Sequence, residues 1–263
     1  MGYIKDLKDQ ALATLEGKWG SFVGLTFIYI LLYALASGLA QFGAIFQGSM
    51  FTTLAIVFTI IGAIITILFI PMQYGYYIAH LNSSRLDLPA DIGDLFCGYR
   101  RFKDVFVTLL LQLLVIFAAL LPYFIFFGIV AWLKLLEGHI FMVIIVGCVL
   151  MIPGLVLGLA YTLAPFILHD KPELSPSEVL RESRMMMNGH KWELFLLILS
   201  FFGWLILCLF TFGIGMLWLA PYMAMTIVKY YEQLRTAYET VDEEEPVVMN
   251  EPVVEETPAQ EVE

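Results

Sequence analysis

Charge is scarce in this chain, and the scarcity is uneven. Only 14% of its 263 residues are Asp, Glu, Lys or Arg, where a soluble domain carries about a quarter. From Trp19 to Ala79 there is no charged residue at all. A soluble surface cannot be built on that pattern. Cysteine is scarce too. Cys97, Cys148 and Cys208 stand far apart without CxxC spacing, which excludes a disulfide framework and a zinc cluster. The four histidines, His80, His139, His169 and His190, have no HExxH or other ligand spacing. There is no phosphate-binding glycine loop and no GxSxG elbow. No catalytic residue, metal ligand or cofactor is therefore assigned, and the chain reads as a protein without enzymatic activity.

The net charge of -10 belongs to one end. Residues 239–263 hold ten of the 24 acidic residues and no basic one; the 14 remaining acids balance the 14 Lys and Arg. The body is neutral, so nucleic acid is excluded as a partner. The acidic, proline-dotted end predicts a disordered tail. Its twice-occurring "EPVV" is a candidate docking motif for a protein partner.

What is abundant is apolar. Hydrophobic residues make up 60% of the chain, mean hydropathy is +0.83, and several runs exceed the ~20 residues that cross ~30 Å of hydrocarbon. The runs do not alternate, so a closed barrel is excluded. The first run is too long, and lies too far from the start, for a signal peptide. The fold class is all-α, a polytopic helical membrane protein. Spans are expected near residues 21–44, 51–80, 105–133, 140–168, 193–211 and 216–229. "FGIG" (Phe212 to Gly215) separates the last two; one long bent helix over 193–229 is the alternative. With six spans and both termini inside, 13 of the 14 basic residues face the cytoplasm and only Lys134 lies outside, as the positive-inside rule asks.

Three polar segments precede the apolar hairpins. Ile4, Leu7, Ala11 and Leu15 recur at helical spacing and predict a short helix on the membrane surface. Ser175, Pro176 and Glu178 form a helix-start signature, followed by one apolar face of Val179, Leu180, Ser183, Met186 and Met187. A glycine then leads into the spans, at Gly17, Gly98 and Gly189. Each is followed by basic and aromatic residues: Lys18 and Trp19; Arg100, Arg101 and Lys103; His190, Lys191 and Trp192. The second span of each hairpin carries a proline, Pro71, Pro153 and Pro221. The glycine-to-proline separations are 71 − 17 = 54, 153 − 98 = 55 and 221 − 189 = 32 residues. The pattern predicts three hairpin repeats, near 1–80, 85–168 and 172–231, within one domain of residues 1–235. The glycines are candidate corners, the prolines candidate kinks. The basic and aromatic residues are candidate contacts to the interface and to anionic lipid headgroups.

Gln41, Gln73 and Gln112 are the strongest polar groups inside the runs, suited to interhelical hydrogen bonds or to a ligand. Residues 20–24 and 154–158 are GxxxG patterns, suited to close packing.

The second half resembles a known family on a string of motifs: "IPG" at Ile152 to Gly154, Tyr161, Asp170 to Pro172, Ser183 and Met187, "GHKW" at Gly189 to Trp192, "SFFGW" at Ser200 to Trp204, "GIG" at Gly213 to Gly215 and "PY" at Pro221 to Tyr222. "LEGKWG" near the start is similar. This is the pattern of the bacterial integral membrane proteins known as domain of unknown function 975. The resemblance implies a bacterial cytoplasmic membrane and no established activity. That family is distantly similar to the membrane domain of some glycerophosphodiester phosphodiesterases, whose catalytic acids have no counterpart here. The expected role is a non-catalytic accessory or scaffold protein that organises lipids or partner proteins at the cytoplasmic face. A transporter or channel for a small or amphipathic solute is the alternative.

Overall fold

The computed structural model describes residues 2–45, 52–133 and 136–244. Among them there are helices and no strands. The short turn expected at residues 46–50, Lys134 with its expected outer placement, and the expected tail from residue 245 onward lie outside the described residues.

Helix α1 (Gly2–Leu15) ends at Gly17, whose φ of +75° needs a residue without a side chain. The chain turns by 95° there and enters α2 (Trp19–Ile45). Helix α3 (Thr52–Leu86) returns against α2 and runs through Pro71 without interruption. A 3₁₀ turn (Ile92–Phe96) and the short α4 (Cys97–Arg100) lead into α5 (Phe102–Trp132), which pairs with α6 (Leu136–Ala160). Helix α7 (Ala164–Asp170) follows α6 after a turn, then α8 (Pro176–Met186). Gly189, at φ +85°, turns the chain into α9 (Lys191–Leu199). Helices α10 (Phe202–Phe210) and α11 (Met216–Glu244) are the last among the described residues.

Four of these stretches are long and apolar enough to cross a membrane among the described residues, and a fifth if α1 and α2 count as one bent unit. Phe201 meets Tyr222 edge to face at 5.1 Å. A continuous helix would hold them ~30 Å apart, so the chain folds back at Thr211–Gly215 and the single bent helix is excluded.

The core sits at one end of the helices. Leu7, Ala11 and Leu15 of α1 pack with Val228, Tyr230 and Tyr231 of α11 and with Ile78 and Leu81 of α3. Val179 and Met187, from α8 and the turn after it, join Phe166 and Leu168 in the same cluster. The other ends splay. Only 6% of the apolar stretch of α5 is buried, and Trp132 and Phe141 are more than four-fifths exposed.

This placement corrects the reading of α1 and α8 as helices resting on the membrane. Their apolar stripes are the ones the sequence marks out, but they are buried under protein: α1 against α11 and α9, α8 against α5 and α7. Burying those stripes in a helical core releases as much water as burying them in lipid. Gly98 is a second correction. It is not a corner, and its φ is not positive. A Cβ there would lie 2.3 Å from the carbonyl oxygen of Pro71, so the glycine permits α4 to touch α3. Helix α11 also continues through Glu244, with Arg235 paired to Glu239 at 2.7 Å, so residues 239–244, assigned to the tail from composition, are helical.

Candidate functional site

The corner residues divide into those held by protein and those left outward. Lys18 pairs with Asp87, whose carboxyl is held below its usual range by that ammonium. Arg101 donates to the carbonyls of Leu168 and Pro172, each at 2.9 Å, and sits 3.2 Å from Asp104. It thereby clamps the start of α5 to the end of α7. His190 contacts Glu193 of its own turn at 3.1 Å. Trp19 packs against the core. Arg100 and Lys103 are exposed and Lys191 is half-exposed, and none of the three makes an ion pair among the described residues. Trp192 is 66% exposed and stacks on Phe195 at 5.2 Å. The residues put forward as one headgroup set therefore do not share a partner. What remains outward at the start of α5 and α9 is Arg100, Lys103, Lys191 and Trp192.

The same end contains an ionic knot that the sequence reading did not find. Arg85 at the end of α3 grips Asp170 at the end of α7 with two nitrogens, each at 2.7 Å. Arg235 of α11 donates to Asp170 at 2.7 Å, and so does the Tyr231 hydroxyl. Burial pushes the Tyr231 hydroxyl up, so it keeps the proton it donates. Glu232 accepts from Ser84 at 2.9 Å and lies 3.5 Å from Arg85 and from Lys229. Lys229 donates to Ser84 at 2.8 Å. Beside it, Lys171 pairs with Glu182, which holds the ammonium above its usual range. The knot ties α3, α7 and α11. It also shows that Asp170 is occupied by two guanidiniums. Among the described residues no three His, Cys, Asp or Glu side chains gather as a metal would require.

A recess of about 210 Å³ lies next to the knot, between α3, α5 and the α6–α7 turn. Gln73, Tyr74 and Tyr77 of α3, Thr108 and Gln112 of α5, and Thr162 of the turn supply its polar groups. No charged side chain lines it. The α6–α7 break gives it shape. Pro165 has no N–H, and the Phe166 N–H goes to the Leu163 carbonyl at 3.1 Å. The Thr162 carbonyl thus receives no backbone N–H among the described residues. Irregular backbone at membrane depth persists only where protein buries it or a cavity receives it. Gln73 and Gln112 also lack a hydrogen bond among the described residues, so neither bridges two helices. Of the two GxxxG glycine pairs, only Gly154 is crowded: a Cβ there would meet Leu120 at 2.5 Å.

An all-helical chain with four or five helices apolar enough to cross a bilayer has the make-up of an integral membrane protein. The chain belongs to the family described as "Protein of unknown function (DUF975)", whose profile matches residues 1–238. No curated protein and no solved structure matches it.

Proposed function

We propose that this is a non-catalytic protein of the bacterial cytoplasmic membrane that organises anionic lipids, and through its acidic tail a partner protein, at the cytoplasmic face. In this reading six spans form three hairpin units and both termini are cytoplasmic. The carrying observation is the outward set of Arg100, Lys103, Lys191 and Trp192, which have no ion-pair partner among the described residues and stand where two spans begin. Cations at that level attract anionic headgroups at roughly 1 kcal/mol each, and an exposed indole suits the same layer. The packing supports three units. The first unit's α1 sits on α9 and α11 of the third; the second unit's 3₁₀ turn and α4 sit on α3 of the first; the third unit's α8 sits on α5 and α7 of the second. Each unit's leading element docks on another unit, closing a ring.

The test is gentle purification with lipid mass spectrometry. Replacing Arg100, Lys103 and Lys191 by Gln should deplete co-purified anionic lipid relative to the unaltered chain. Unchanged lipid content would remove the headgroup role. Comparing the full chain with one ending at Tyr238 reads out the tail: a protein partner held only by the full chain supports docking, and equal capture by both refutes it.

A second reading, a transporter for a small or amphipathic solute, is favoured by the recess and the broken α6–α7 backbone, since interrupted helices often build transport sites. It requires water to reach the recess from both sides. Cysteines placed along α5 and α6 that react with a membrane-impermeant thiol reagent from one side only would count against it.

A further inference from the structure

We infer that the recess between α3, α5 and the α6–α7 turn binds an uncharged polyhydroxyl or ester group, of the kind presented by the glycerol backbone of a neutral diacyl lipid or by a free polyol. This does not depend on the headgroup role proposed above, which rests on other residues. Three observations carry it. First, the lining offers hydrogen-bonding groups that the protein leaves unused. The Tyr74 side chain is only 5% exposed, and its hydroxyl makes no hydrogen bond among the described residues. The one fully enclosed, unpartnered side-chain nitrogen or oxygen among the described residues is Nε2 of His80. The Tyr74 hydroxyl therefore looks onto open space, and the recess is the space it lines. The carboxamides of Gln73 and Gln112, which also line the recess, are likewise without a hydrogen bond among the described residues and are not enclosed.

Second, the donors and acceptors are mixed. The hydroxyls of Thr108 and Thr162 donate to their own helix carbonyls, at 2.7 Å and 3.1 Å, and turn lone pairs outward. The glutamine amides and the tyrosine hydroxyls donate. Hydroxyls and esters satisfy such a set; a bare anion or cation does not. Third, charge is excluded. The cations that hydrogen-bond to its lining residues are already engaged by doing so: Arg101 by the carbonyls of Leu168 and of nearby Pro172, Arg184 by the Tyr161 hydroxyl. An ionised group entering would remain unpaired in a low-dielectric site, at a cost that rules it out. The volume of about 210 Å³ is below that of ordinary drug-sized pockets. It suits a three-carbon polar group with its acyl chains leaving past Gln73, which is exposed.

The experiment is native mass spectrometry of the full-length protein in mild detergent with three probes: dioctanoylglycerol, glycerol, and dioctanoyl phosphatidic acid. Saturable binding of dioctanoylglycerol, weakened about ten-fold by Gln73→Leu with Gln112→Leu, supports the proposal with a lipid source; two lost hydrogen bonds amount to roughly that factor. Saturable binding of glycerol with the same loss supports a water-borne polyol. Gly158→Leu is the second variant. A Cβ at Gly158 meets nothing within 4 Å and the residue lines the recess, so the added side chain fills it without a clash at its root. It should abolish binding in a protein that still folds. Equal binding by wild type and both variants, stronger binding of the phosphatidic acid, or no binding of either neutral probe would overturn the inference.

Discussion

Replacing Asp170 by Asn tests whether the ionic knot holds the helices together or merely decorates their ends. The carboxylate is 9% exposed and accepts four hydrogen bonds of 2.7 Å, two from Arg85, one from Arg235 and one from Tyr231. Removing one partner of a buried pair costs ~3–5 kcal/mol, because the other charge is left uncompensated. Here the strandees have some relief. Arg85 keeps Glu232 at 3.5 Å and is 30% exposed; Arg235 keeps Glu239 at 2.7 Å and is 38% exposed. Water screens both in part, which brings the expected loss to about 2–3 kcal/mol. At roughly 2–4 °C per kcal/mol for a chain of this size, the melting temperature in detergent should fall by about 4–12 °C, read by circular dichroism or size-exclusion retention after heating. Asp104→Asn is the control. Its side chain is 42% exposed and pairs with Arg101 only three residues away, so its loss should stay under about 1 kcal/mol. If the two variants melt together, the knot contributes no more than a surface pair, and the claim that Asp170 ties α3, α7 and α11 is wrong.

Gly17→Ala and Gly98→Ala should differ. The first is strained only by its left-handed backbone, at about 1–2 kcal/mol; the second drives a methyl into the Pro71 carbonyl and should lose more, with α4 released to proteolysis. His80 is fully buried, with Nδ1 2.8 Å from the Tyr76 carbonyl and Nε2 unpartnered. His80→Phe should be neutral or stabilising by thermal melting, since the orphaned nitrogen costs ~1–3 kcal/mol and the bond forfeited returns ~0.5–1.5, whereas His80→Ala should lose ~2–5 kcal/mol to a cavity; equal losses would mean that Nε2 has a partner. Glu178 accepts from the Ser175 hydroxyl and N–H at 2.6 Å and 2.8 Å, which holds its carboxyl below the usual range. Its folded value lies below its unfolded one, so its contribution is present above about pH 4.3 and is lost as pH falls through the depressed value. Melting temperatures at pH 5, 4 and 3 should therefore fall more steeply for wild type than for Glu178→Gln.

What could be read from the sequence, and what could not, follows from the range of the interactions. The stripe Leu7, Ala11, Leu15 and the face Val179 to Met187 are local periodicities, and both are buried where the pattern puts them. Gly17 and Gly189 each end a helix within a few residues, and both have the positive φ that a corner demands. Gly98 stands in the same motif, yet it serves a contact with Pro71, 27 residues away, that no local pattern encodes. The knot is less local still: Arg85, Asp170 and Arg235 are separated by 85 and 65 residues. A signal was present, because a carboxylate and two arginines each stand where a long apolar run gives way to polar sequence, and charges at that boundary need partners. The breaks after Ala160 and Leu199 were hidden by hydropathy, which stays high through both. Pro165 marked the first. At the second, the sequence marker was distant: Lys8 of α1 donates to the Ser200 carbonyl at 3.1 Å and lies 4.0 Å above the Phe201 ring. A cation at the end of α9 stabilises the carbonyls that a broken helix exposes, so the interruption of one apolar run is secured by a helix nearly two hundred residues earlier in the chain.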